Sequence, residues 1–222
     1  MNKNFLLILF SWMLVLNSAN GQTKGLGSND PEAKKILDAV SARFKSYKSV
    51  QARFSIKGEN AAGKPMLTKS GTLYMRDKKY RVTVTGQEIY SDGITVSTYD
   101  KGANEITITK IDPGSSTITP QKLFTNFYDK DYLYKLNGDV TFNGKKMKEI
   151  ELTPVDKSKP FFKVLLYVDQ ASGFISGTKL FEKAGNKYVY SISGMTPNAK
   201  ISDDLFVLDA KKYPGVEIVD LR

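Results

Sequence analysis

Residues 49–57 read SVQARFSIK, and within them Val50, Ala52, Phe54 and Ile56 alternate with Gln51, Arg53, Ser55 and Lys57. A period of two places the apolar side chains on one face and the polar ones on the other, the pattern of a half-buried strand. Just upstream the period is different. Ile36, Leu37, Val40, Phe44 and Tyr47 recur at three- and four-residue spacing, which predicts a helix of about 17 residues with one apolar face. Asp30-Pro31-Glu32 supplies its start: an N-cap, a proline at the first helical position and an acid in the first turn. A helix and a strand that each need one face covered, and that follow one another directly, are expected to share an interior.

Downstream the period of two persists. Tyr80, Val82 and Val84 alternate with Arg81, Thr83 and Thr85. Further strands are predicted at 70–76, 87–90, 95–99, 105–110, 132–136, 146–153, 161–168, 175–183 and 187–193, separated by turn signals such as Asp92-Gly93, Asn143-Gly144, Ser172-Gly173 and Gly185-Asn186. The strand number and short connections predict one antiparallel sheet, strongly curved or partly closed, rather than parallel α/β layers. Two segments interrupt it. Asp112 to Thr119 is a Pro/Gly/Ser/Thr loop, after which Pro120 opens a short helical stretch with Leu123, Phe124, Phe127 and Tyr128 as an apolar stripe. Pro154 to Pro160 is a polar loop. With no composition break and no fixed-period repeat, residues 30–222 read as a single domain. Periodicity leaves open whether its interior is solidly packed or partly empty.

The first 21 residues read as a signal peptide: Lys3 is a short basic region and Phe5 through Leu16 an apolar run too short to span a bilayer comfortably. Ala19-Asn20-Gly21 offers small residues where a signal peptidase reads, so cleavage is expected before Gln22, with 22–29 a flexible leader. Loss of Lys3 takes the 33 basic residues to 32 against 23 acids, a net charge of +9. Such a charge suits anionic headgroups or an acidic partner. Export argues against nucleic acid, as does the scatter of the basic pairs Lys34-Lys35, Lys78-Lys79, Lys145-Lys146 and Lys211-Lys212 along the chain.

The 222 residues contain neither histidine nor cysteine. That excludes thiol nucleophiles, histidine-based triads and the usual zinc, iron and haem sites. Among the remaining groups no catalytic constellation is found. The pairs Glu149/Glu151, Asp129/Asp131 and Asp203/Asp204 read as surface charge; Asp129-Lys130-Asp131 lacks the next ligand and the glycine of a calcium loop, and Gly58 to Lys64 lacks phosphate-loop spacing. Ser158-Lys159 reads as a turn. No metal, no cofactor and no enzymatic activity are expected.

In order and spacing these pieces resemble the LolA-like outer-membrane lipoprotein carrier family over nearly the whole chain after the leader. The resemblance rests on the amphipathic helix followed by Gln51-Ala52-Arg53-Phe54, on Ser70-Gly71-Thr72-Leu73-Tyr74, and on Arg76 with Tyr80-Arg81. It continues through Ser91-Asp92-Gly93 with Val96 and Tyr99-Asp100, Pro120 with Leu123, and the closing Phe206-Val207-Leu208 and Pro214-Gly215-Val216. Asp77 stands where many members have proline.

The resemblance implies a mainly β fold with helices (α+β): an incomplete, strongly curved antiparallel β-barrel with a helical lid over an apolar cavity. The function implied is that of a periplasmic chaperone of outer-membrane biogenesis. Such a carrier receives the acyl chains of lipoproteins from an inner-membrane ABC-type release complex and hands them to an outer-membrane acceptor. In the same pattern Arg76 takes the place of a lid latch and Tyr80 that of an aromatic at the cargo entrance. Alternation nominates Phe54, Leu73, Val82, Ile89, Val96 and Tyr99 as cavity-lining, and Ile36, Val40, Phe44, Leu123 and Phe127 as the lid underside. A monomer is expected. The competing readings are an envelope sensor or adaptor that binds peptides or lipoproteins, and a free-lipid shuttle.

Overall fold

The computed structural model describes residues 29–111 and 128–222; residues 1–28 and the segment 112–127, with Leu123 and Phe127, lie outside the described residues. Helix α1 runs from Pro31 to Lys45, and Asp30 caps it as its sequence dictates, accepting from the Glu32 amide at 2.8 Å and the Ala33 amide at 3.3 Å. Arg43 and Lys45 in the last turn complement the helix dipole. Ala33, Leu37, Val40 and Phe44 are buried along one face.

Twelve strands follow among the described residues, with a one-turn helix α2 (Tyr128–Asp131) between the sixth and the seventh. They are β1 (Ser49–Glu59), β2 (Pro65–Arg76), β3 (Lys79–Val84), β4 (Gln87–Ser91), β5 (Thr95–Asp100), β6 (Glu105–Lys110), β7 (Tyr132–Phe142), β8 (Lys145–Pro154), β9 (Phe161–Asp169), β10 (Phe174–Glu182), β11 (Lys187–Pro197) and β12 (Glu217–Asp220). Every stretch read as a strand forms one; β12 is additional. All belong to one sheet in the order β12-β6-β5-β4-β3-β2-β1-β11-β10-β9-β8-β7. The pairs are antiparallel apart from β12, which lies parallel to β6 with Ile218 opposite Ile106. Strand β1 pairs with β2 on one side and β11 on the other, joining two meanders.

This order corrects the expected architecture. The fold is α+β, but its sheet is open and largely antiparallel, and it is not a strongly curved, incomplete barrel. Its terminal strands β7 and β12 are not paired with each other. The physical reason lies at the edges. The outer edge of β7 is already engaged: the Asp30 amide donates to the Tyr134 carbonyl at 3.1 Å, the Tyr134 amide donates to Asn29 Oδ1 at 3.1 Å, and the Leu136 amide donates to Asp30 Oδ2 at 2.9 Å. At the other end β12 adds in parallel. An alternating sequence specifies which side chains share a face, and it carries no information about whether the edges meet.

The core is divided by the sheet. On the α1 side, Ala33, Leu37 and Val40 pack with Tyr128, Tyr134, Ile150, Leu152, Leu166, Val168 and Ile175, with Ile36 partly buried against them. Phe44 instead joins Val50, Ala52, Leu73, Met75, Tyr80, Val82 and Ile89. On the face away from α1 a smaller cluster forms from Met147, Leu165 and Tyr167. It is closed by the tip of the β7–β8 hairpin, where Asn143 and Gly144 both take positive φ, 49° and 77°, as a tight twisted hairpin requires. Phe142 stacks on Tyr167 at 4.0 Å and lies over Gly177, where a Cβ would meet its ring at 2.5 Å. Asn143 reaches Ser191 Oγ at 3.2 Å.

Asp30 therefore holds a helix and a sheet edge with one carboxylate. Its pKa is lowered, above all by the hydrogen bond from Leu136; burial opposes this as the next-largest effect, and the bonds from Ala33 and Glu32 and the charge of Lys135 add to the lowering. A depressed folded value contributes stability that is complete above the ordinary carboxylate value of about 3.9 and is lost as pH falls through the folded value. Asp30→Asn, which keeps a capping oxygen but not the charge, is expected to lower the urea midpoint at neutral pH, with the gap from wild type closing as pH falls below the ordinary carboxylate value of about 3.9. Asp30→Ala should fall further at neutral pH. A gap for Asp30→Asn that does not change with pH would show that the charge is not used.

Candidate functional site

Directly opposed residues of paired strands share a face, so the register fixes which nominated side chains meet. Ala52 opposes Leu73, Leu73 opposes Val82, and Val82 opposes Ile89, a row across four strands on the α1 side. Val50, Met75, Tyr80 and Ser91 form the adjoining row, which Val96 continues on β5. Phe54, Val96, Ile192, Met195 and Tyr47 pack half-buried around this cluster. The structure thus brings together Phe54, Leu73, Val82, Ile89 and Val96. Tyr99 goes to the other face, because it is three residues from Val96 and strand parity separates them. There it opposes Glu88 and Ile106, and its ring lies tilted by 42° against that of Tyr213, with centroids 4.1 Å apart.

Of the helical positions, Val40 and Ile36 lie over the β7–β10 half of the sheet, whereas Phe44 reaches the β1–β4 half. Tyr47 continues from Phe44 to Phe174, with ring centroids 6.3 and 5.8 Å apart in the two edge-on contacts. Phe54 lies flat because residue 71 is glycine: a Cβ there would be 2.4 Å from the Thr83 carbonyl oxygen and 2.5 Å from the Phe54 ring. This is the physical content of the glycine in Ser70-Gly71-Thr72.

Tyr80 is fully buried in the floor of the cluster. Burial pushes its hydroxyl up to about 12, with Ser91 opposing the shift, and the hydroxyl has no hydrogen-bond partner of normal geometry. Arg76 falls on the face away from α1. One guanidinium nitrogen donates to the Ile201 carbonyl and another pairs with Asp203, and the group lies over the Phe206 ring at 5.7 Å. Lys79 pairs with the same carboxylate, and these two hydrogen bonds hold the Asp203 pKa below the ordinary carboxylate value. The Asp77 turn beside Arg76 takes a φ of 54°. Proline cannot adopt that angle, so this turn is built differently from the family pattern.

Among the residues that hold down the C-terminal segment, sequence reasoning missed Ser49, Glu88, Tyr90 and Tyr213. Ser49 Oγ donates to the Ala199 carbonyl at 2.6 Å, and Phe206 is buried. Tyr213 meets Tyr90, whose hydroxyl donates to Glu88 at 2.5 Å while Arg81 pairs with Glu88 at 2.8 Å. Burial opposes ionisation of Glu88, but the Tyr90 and Arg81 hydrogen bonds outweigh it and leave the pKa lowered. Tyr90 is raised by burial and by Glu88. Asp203, read as plain surface charge, could have been found only through its partner Arg76, which is 127 positions away in the chain. The pair Glu149/Glu151 binds Asn137. Among the described residues no group of three or more acidic side chains is gathered for a metal ion. No helix among them is long and apolar enough to cross a membrane. What the site offers is apolar surface beside a helix, with a C-terminal strap pinned on the opposite face.

Residues 45–209 match the family model of the outer membrane lipoprotein carrier protein LolA. None of the curated proteins matches the chain. Among solved structures, an uncharacterized conserved protein from Thermus thermophilus is similar with a TM-score of 0.56 at 14% identity, covering 85% of this chain and 99% of that one. LprF from Mycobacterium bovis aligns with a TM-score of 0.46 at 13% identity, over 79% of this chain and 97% of that one. The Pseudomonas aeruginosa MucA/MucB complex aligns at 0.44 and 16%, over 81% of this chain and 62% of that one. The Thermus likeness shows a shared fold.

The strap makes Arg76 testable. Arg76→Ala removes a carbonyl donor, an ion-pair partner and a ring contact at once, so amide exchange in residues 199–207 should accelerate by about tenfold or more, with β8–β10 unaffected. Arg76→Lys keeps the charge toward Asp203 but not the planar fork, and should fall between. Unchanged exchange in Arg76→Ala would show that the strap is held without it.

Proposed function

Because the chain belongs to the outer membrane lipoprotein carrier protein LolA family, we propose that it is a periplasmic carrier that takes up the acyl chains of lipoproteins on the α1-side apolar face of its sheet. In this reading it receives them from an inner-membrane ABC-type release complex and passes them to an outer-membrane acceptor. The observation that supports it best is the convergence of Phe54, Leu73, Val82, Ile89 and Val96 on one face beside Phe44.

Acyl chains gain about 0.8 kcal/mol per buried methylene, so a chain crossing water needs an apolar surface, and a carrier discharges when another site offers a better one. The half-buried Phe54 and Val96 are the first contacts for cargo, and Phe44 with Tyr47 are the side chains it displaces. Tyr80, on the floor, meets cargo after that displacement. Arg76 keeps a holding role, exercised on the C-terminal strap. No bond is made or broken, so the task asks for no nucleophile and no cofactor.

The test uses the precursor expressed in a Gram-negative host and the processed protein recovered without strong detergent. With a triacylated cysteine peptide, native mass spectrometry should show a one-to-one complex, and Val96→Asp should weaken it at least about tenfold, since a carboxylate in an apolar contact must be desolvated; a thermal midpoint well above the assay temperature shows that the variant is folded. Equal binding of the same peptide without its acyl chains would replace the carrier reading with a peptide adaptor. Preference for a free single-chain fatty acid would replace it with a lipid shuttle, and no binding of any of the three would sink it.

A further inference from the structure

Three connections meet at one end of the sheet. The Lys183 amide donates to the Pro160 carbonyl at 2.8 Å, and Lys183 Nζ reaches the Lys157 carbonyl, which ties the turn 183–186 to the loop 154–160. On the other side, a Cβ at Gly185 would lie 2.7 Å from the Ala61 side chain, so the turn 60–64 sits against the same turn. This end carries Lys157, Lys163, Lys179, Lys183 and Lys187 on β9–β11 and their connections. The carboxylates beside them are Asp156, which accepts from the Ser158 amide at 2.8 Å, Glu182, which accepts from Asn186 at 2.9 Å, Glu59, opposite Lys187, and Glu151, opposite Leu165 in the row of Lys179.

Among the described residues, none of these five lysines has a carboxylate within ion-pair distance; the ion pairs lie at Lys34, Arg76, Lys79, Arg81, Lys148 and Arg222. Two of the ammonium groups rest on an aromatic ring instead: Lys163 and Lys179 sit 4.7 and 5.4 Å from the centre of the Phe181 ring. Lys159, only 8% exposed, points inward onto Tyr132 at 4.8 Å and adds its charge from behind. Out of this basic ground Phe162 projects, 49% exposed, with Met66 on β2, 43% exposed, next to the 60–64 turn.

We propose that this end of the sheet is a docking surface for an anionic lipid bilayer. Lysines without a carboxylate partner, two of them with the ammonium group held only by an aromatic ring, can turn their charges toward lipid phosphates while an exposed phenylalanine and methionine enter the headgroup boundary. Lys163, Lys179 and Phe181 lie on the face away from α1, since Val164 and Leu166 alternate toward the helix and Leu165 and Tyr167 away from it. Docking here therefore leaves the α1-side face free. The inference goes beyond the carrier reading and needs no lipoprotein.

The experiment is flotation of the processed protein, recovered after export, with vesicles of phosphatidylcholine alone or with about 30 mol % phosphatidylglycerol. Binding is expected to the anionic vesicles, and to weaken as salt is raised through physiological strength. The double variant Lys163→Glu/Lys187→Glu should lower the partition coefficient about tenfold or more, and Phe162→Ser should lower binding even at high salt. The control Lys145→Glu/Lys146→Glu, which makes the same charge change at the tip of the β7–β8 hairpin, should have less effect; thermal midpoints confirm that each variant folds. An equal loss in that control would overturn the proposal in favour of bulk charge. Sequestration by poly-glutamate without vesicle binding would overturn it in favour of an acidic protein, and no binding to anionic vesicles would overturn it outright. Since no acylated cargo is present, this result and the lipopeptide result fail independently.

Discussion

The constraint on which the rest depends is that α1 is fastened at both ends to strands five places apart. Its start is bonded to the outer edge of β7 through Asn29 and Asp30, and its end runs through Ser46 and Tyr47 into β1 at the sheet's middle. Fifteen helical residues span about 22 Å, and five strand spacings about 24 Å. The helix therefore has the length needed to cross the β7–β11 half and bring Phe44 onto the other half. Were Asp30 not committed to β7, that edge would expose its amide groups, and the helix would have no fixed origin.

Each remaining face is then covered by a different device. Behind β9–β11 the β7–β8 hairpin tip folds over, which is possible because residue 177 is glycine and admits Phe142. Behind β2–β6 the C-terminal strap lies down, held by Arg76 and Lys79 through Asp203, by Ser49 through Ala199, and by Tyr90 and Tyr99 through Tyr213. The polar and charged fastenings of β1–β5 thus gather on the side away from α1, whereas α1 itself is tied by Asp38 to Tyr128, by Lys34 to Asp129 and by Arg43 to the Ser172 carbonyl. Around Phe44 the β1–β4 face toward α1 has mostly dispersion and hydrophobic contacts, which resist exchange of one apolar partner for another less than a directed hydrogen bond does. An apolar ligand would meet least resistance there.

Much of this was legible in the sequence because period and parity are local. The change from 3.6 to two at Ser49 placed the helix and β1, and alternation placed Leu73, Val82 and Ile89 together. Alternation also shows why Tyr99 could not join Val96: an odd separation along one strand reverses the face. What stayed hidden was non-local. The edges of the sheet are decided by Asp30 and by β12, and the four-residue β12 has too few positions to show a period. The partner of Arg76 is Asp203, a carboxylate whose neighbour Asp204 looks the same in sequence. The C-terminal Phe206 was visible as a motif residue, but its burial depends on strap and sheet meeting.

Charge follows the same division. A carboxylate is used where the fold needs a fastening, and the basic residues that hold the strap are paired. The five lysines at the 154–187 end are not, and they stand on β9–β11 and their connections, already fixed by β1 on one side and β8 on the other. They therefore serve no ion-paired fastening there, and each costs self-repulsion that an ion pair would have relieved. Aromatic contacts with Phe181 offset part of that cost without neutralising the charge. Leaving the field only partly cancelled, with more ammonium groups than carboxylates and no ion pair, is what distinguishes a surface that must attract an anion from one that must only stay in water.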